Sequence, residues 1–162
     1  MKEKITDWLD EENRDYEVKD HADLNWLIHL KHGNRVVLLG NPEKNEKRLE
    51  VVYKLNISDD HKKVLQKLND KQRGAFEKKL VMLLAADTNI YNIQRDQEGI
   101  PESVIIKRHL FEEDLKKTLI YDTVQSVINM GMRTTIHFQS LGGAKMKEDK
   151  VSSTKTGQSI YR

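Results

Sequence analysis

The sequence predicts an α+β fold. The expected form is a two-layer α/β sandwich with an antiparallel sheet of about five strands, in the order α-β-β-β-α-β-β-α, with helices mainly on one face. Three observations predict it. Apolar residues alternate with polar ones over 24–56 and again over 90–109, the period-two pattern of half-buried strands. Around those regions apolar residues recur every three or four positions, the period of a helix packed on one side. Turn residues punctuate the junctions at His32-Gly33-Asn34, Gly40-Asn41-Pro42 and Gly99-Ile100-Pro101.

Ile5, Trp8 and Leu9 form one stripe on a first helix over about 3–12. Tyr16 and Val18 follow in an extended connection. Leu24, Trp26, Ile28 and Leu30 mark the first strand, and Val36–Leu39 returns after the Gly33 turn. Leu49, Val51, Tyr53 and Leu55 mark the third strand of a meander. Ser58 is placed to cap a helix whose first turn holds Asp59 and Asp60. Asp70 reads as a second cap, so the region to Asp87 is two helices or one kinked helix. Ile90–Arg95 and Val104–His109 form a hairpin. Glu112, Glu113 and Asp114 then stack acid at the start of the last helix. Residues 132–141 fit either a strand, through Thr134-Thr135-Ile136, or a continued helix, through the stripe Ile120, Val124, Val127, Gly131, Thr134, Phe138. The longer helix is favoured.

Composition narrows the function classes. The chain has 162 residues, which suits a single domain over 1–141, and 142–162 is expected to be a mobile basic tail. There is no cysteine, which excludes disulfides, thiolate metal sites and cysteine nucleophiles. Net charge is only +2. The tail holds five basic and two acidic residues, or +3, so the other 141 residues carry −1. A dedicated nucleic-acid binder has a stronger basic excess. The amphipathic start MKEKITDWLDEE is not a signal peptide, and no apolar run could span a bilayer, so a cytoplasmic location without membrane contact is expected.

No motif identifies a reaction. His29 and His32 lie at a strand end and its turn and lack the shared face of a helical ligand pair, so no metal is expected. Asp59-Asp60 and Glu112-Glu113 are explained by the helix dipole. Neither Gly40-Asn41-Pro42 nor the stretch 140–145 matches a phosphate loop, so no cofactor and no catalytic residue is assigned. More informative are apolar residues on the polar sides of the strands: Leu27, Val37 or Leu39, Val52 and Ile105. On an open sheet face they would form a contact patch. Leu27, Val52, Ile105 and Lys107 are therefore the expected partner-binding residues.

Ile5-Thr6-Asp7-Trp8-Leu9 in the first helix and Ile100-Pro101-Glu102-Ser103-Val104 entering the last strand, with the element order above, resemble a family of uncharacterised conserved archaeal proteins. The order over residues 1–130 also resembles the type III secretion chaperone-like fold, seen in YbjN-like proteins. That resemblance implies a non-enzymatic binding module, with a protein partner or a homodimer, acting through an open sheet face or a sheet edge. The alternative is a nucleic-acid or nucleotide accessory protein using the basic tail and the Lys107, Arg108, His109 corner.

Overall fold

The computed structural model describes residues 1–43 and 47–141. The elements run α1 (Lys2–Glu11), β1 (Tyr16–Lys19), β2 (Leu24–His32), β3 (Arg35–Pro42), β4 (Arg48–Asn56), α2 (Asp59–Lys67), α3 (Asp70–Ala85), β5 (Ile90–Arg95), β6 (Pro101–Phe111) and α4 (Lys117–Gln139). This is an α/β sandwich with one open antiparallel sheet, ordered β1-β2-β3-β4-β6-β5. It has six strands where about five were expected. The added one is β1, which pairs Tyr16 with Leu30 and Val18 with Ile28. Four residues are too few to show a period, so this strand reads as a connection until its partner is known. The basic tail expected over 142–162 lies outside the described residues.

The described residues gather into two compact units. The first holds Met1–Val52 and His109–Thr123; the second holds Tyr53–Arg108 and residues 124–141. In the first, β2 and β3 register Ile28 against Leu39 and Leu30 against Val37, and all four are buried. The β3–β4 register sets Leu39 against Val51, Leu38 against Val52 and Gly40 against Glu50. Helix α1 buries Ile5 and Leu9, one turn apart. Its other side is tied to the start of α4. Tyr121 Oη donates to the Trp8 carbonyl at 3.0 Å. Lys117 Nζ lies 2.9 Å from Glu11 Oε2 and 2.6 Å from Glu12 Oε1. The hydrogen bonds to Glu12 and Glu11 push the Lys117 ammonium up to about 12.

In the second unit, Ser58 caps α2 as expected, its hydroxyl accepting from the His61 amide. The break between α2 and α3 is real, so the region is two helices. Its cap is Asn69, not Asp70: Asn69 Oδ1 accepts from Gln72 N at 2.9 Å, and Gln72 Oε1 accepts from Asn69 N at 3.2 Å. This reciprocal capping box satisfies two amides that the helix cannot. The acidic run Glu112–Asp114 forms a short 3-10 turn instead of the first turn of α4, which begins at Lys117.

Residues 132–139 continue α4, the favoured reading. Thr134 and Thr135 donate their hydroxyls to the carbonyls of Met130 and Gly131, at 2.9 and 3.0 Å. Back-bonding of this kind lets β-branched residues sit inside a helix. Thr134 and Phe138 are fully buried along the same stripe. At Gly131 the helix approaches Tyr53 so closely that a Cβ would meet its ring carbons.

Candidate functional site

The apolar contact residues take other places than the sequence suggested. Leu27, Val52 and Ile105 are only 5%, 1% and 3% exposed. They are core residues, not an exposed patch. Val37 and Leu39 are also buried, opposite Leu30 and Ile28. The physical reason lies in β4 and β6. Leu49–Tyr53 and Ser103–Ile106 are buried at every position, on both sides of the strand. Central strands apolar on both faces are enclosed on both faces. Lys107 is half-buried and pairs with Ile90 on β5.

The basic trio of β6 also divides. Successive strand residues point to opposite faces, which separates Arg108 from Lys107 and His109. His109 Nε2 lies 3.2 Å from Glu50 Oε1, and Arg48 Nη2 lies 3.0 Å from the same oxygen. Sequence reasoning missed this cluster. Glu50 stood on the assumed outer side of β4 and gave no sign that it would be buried.

The sheet has two edges. The order of strands puts β1 and β5 at the two ends. An edge strand presents backbone amides and carbonyls with no neighbour on one side. Proteins usually guard such edges with charge, proline or shortness. Strand β1 is guarded: it has four residues, and Lys19 and Glu17 pair at 3.2 Å along it. Strand β5 has six residues, and Ile90-Tyr91-Asn92-Ile93-Gln94 carries neither charge nor proline. Ile90 is 45% exposed. The strand is held in place from its far side and its end. Tyr91 pairs with Ile106 and Ile93 with Val104. Arg95 grips Glu77 of α3 with two parallel bonds of 3.0 and 3.1 Å and donates to the Gly99 carbonyl at 2.8 Å. The result is an uncharged edge segment, Ile90–Gln94, held on its inner side by β6 and at its end by Arg95.

Among the described residues, no group of three or more His, Asp or Glu is arranged to hold a metal ion. No helix among them is long and apolar enough to cross a membrane.

The six-stranded antiparallel sheet with its four helices defines an α/β sandwich. The chain belongs to the uncharacterized conserved protein family DUF2299, whose model matches residues 1–138. No curated protein matches it. Among solved structures it is similar to an uncharacterized protein from Methanothermobacter thermautotrophicus, at a TM-score of 0.82 and 17% identity, over 87% of this chain and 98% of that one. It is also similar to YbjN from E. coli, a candidate transcription regulator, at a TM-score of 0.50 and 7% identity, over 86% and 90% of the two chains. These likenesses bear out the YbjN-like fold expected from the element order.

Proposed function

We propose that the protein is a non-enzymatic binding module whose β5 edge accepts an extended segment of a protein partner. The observation that carries this reading is the uncharged edge Ile90–Gln94, in contrast to the guarded edge β1. A partner strand would hydrogen-bond to the free backbone of β5, and its alternate side chains would lie beside Ile90 and Asn92 or beside Tyr91 and Ile93. Leu27, Val52 and Ile105 serve this role indirectly, as the packed base of the sheet, and Lys107 supports Ile90 from the neighbouring strand.

The test is a random peptide library selected on the wild type and on Ile90→Lys/Asn92→Lys. Lysine on an edge strand opposes pairing without removing a core residue. Selected peptides should bind the wild type and lose binding to the variant. Peptides that bind both equally, or a library that yields none, would refute an edge-binding role. A wild type that dimerises in solution while the variant is monomeric would make a second copy the partner. Nucleic-acid binding through the tail and the Lys107, Arg108, His109 corner has less support, because His109 is engaged by Glu50. Oligonucleotide titrations across a salt series address it, since phosphate contacts weaken as salt rises.

A further inference from the structure

On the edge-binding reading of β5, on which this rests, we infer that the partner's segment is acidic and alternating, with carboxylates on one side and apolar residues on the other. Charge is divided unevenly between the two units. Among the described residues the second unit holds twelve Lys and Arg against eight Asp and Glu, a net +4, and the first holds ten against fifteen, a net −5. Of the second unit's cations, only Lys62, Arg73 and Arg95 reach a carboxylate among the described residues. The unit that carries the β5 edge therefore has positive charge to spare.

One spare cation stands at the edge itself. Lys107 is the register partner of Ile90, so the two side chains are neighbours on one face of the sheet. Ile90 is 45% exposed, and Asn92, on that same face, is exposed too. A strand added to β5 lies about 4.8 Å beyond it. The four-carbon stem of Lys107 is long enough to bring its ammonium across β5 toward a carboxylate opposite Ile90. The other face differs. Tyr91 and Ile93 point there, and both are half-buried. Arg95, two residues on from Ile93, grips Glu77, so α3 flanks this side of the edge. Val81, one helical turn after Glu77, is 39% exposed on the same flank. A partner strand alternates its own side chains, so acids suit the Ile90 face and apolar residues the Tyr91 face. A second copy of β5 is a poorer occupant, because Ile90–Gln94 brings no carboxylate. A nucleic acid brings charge but no amide backbone to extend the sheet.

The probes are short acetylated peptides in which valine alternates with glutamate, glutamine or lysine, and one with valine and glutamate in separate blocks. Fluorescence anisotropy reads binding, and the amide NMR signals of β5 read its place. The alternating glutamate peptide should bind about fivefold or more tightly than the glutamine one, shift the β5 amides, and lose its advantage as salt rises. Lys107→Gln should weaken it about two- to fivefold, the range of an exposed ion pair, and leave the glutamine peptide unchanged. If the glutamine or lysine peptide binds β5 as well as the glutamate one, edge binding stands and the acidic partner is refuted. If no peptide binds, the edge-binding reading falls and takes this one with it. If the block peptide binds equally, or the glutamate peptide leaves the β5 amides unmoved, the unit attracts anions in general and the alternating segment is refuted. Should Lys107→Gln fail to fold, the contrast among the peptides on the wild type decides alone.

Discussion

Replacing Gly131 by alanine should destabilise the protein, although alanine is the better helix former. The gain from helix propensity is about 0.8–1.0 kcal/mol in a helix interior. Against it stands Tyr53. A Cβ on Gly131 would lie 2.5 Å from Tyr53 Cδ1, closer still to Cε1, and 3.3 Å from Cζ. The ring is 8% exposed and sits on a strand, so it cannot swing away as the end of a flexible side chain could. Overpacking of this kind costs typically about 1–3 kcal/mol. The difference is a net loss of roughly 1–2 kcal/mol at the upper half of that range, or a fall in Tm of about 2–8 °C for a chain of this size. Gly74 in α3 is the internal control, because nothing lies within 4 Å of its added Cβ. Gly74→Ala should therefore raise stability by about 0.5–1 kcal/mol. Denaturant unfolding of both variants is the assay, and one substitution should give two opposite signs. Adding Tyr53→Leu should erase most of the Gly131→Ala cost. A Gly131→Ala protein as stable as Gly74→Ala would refute the close approach of α4 to Tyr53.

Two further outcomes follow from the second unit. His61 is 1% exposed, and burial lowers its pKa from 6.5 against the opposing pull of Asp60. A group depressed on folding stabilises above its unfolded pKa, so stability should fall as pH drops below about 6.5. Unfolding measured at pH 7.5 and pH 5 should show a smaller drop in His61→Phe than in the wild type; an equal drop would assign the acid sensitivity elsewhere. Asn69→Ala removes one half of the capping box and should cost about 1 kcal/mol by chemical denaturation, whereas Asp70→Ala should cost less.

Much of the fold was legible because its signals are local. The alternation at Leu49, Val51, Tyr53 and Leu55 needs only the chain itself, as does the helical stripe that carried α4 through Thr134. The cap of α3 was misread as Asp70: Asn69 and Asp70 both suit a cap, but only Asn69 has Gln72 three residues on. The misplacement of Val52 and Ile105 came from treating one side of each strand as outside. Val51-Val52-Tyr53 and Val104-Ile105-Ile106 are apolar on both sides, and that pattern marks an enclosed strand. Two features had no local signal. Strand order decides that β5, and not β6, is an edge, and order depends on where β6 crosses in to lie beside β4. The meeting of Glu50 with His109 depends on the same long-range pairing.

The Lys117 grip described above has a consequence for chemical mapping of the surface. Amine-reactive reagents attack the neutral amine, and a group held near 12 instead of 10.5 offers about thirtyfold less of it at any ordinary pH. In a chain dotted with lysines, Lys117 should be the quiet one in labelling and cross-linking maps. Its silence would report that the end of α1 is seated against α4, and a rise in its labelling would mark the moment the two come apart.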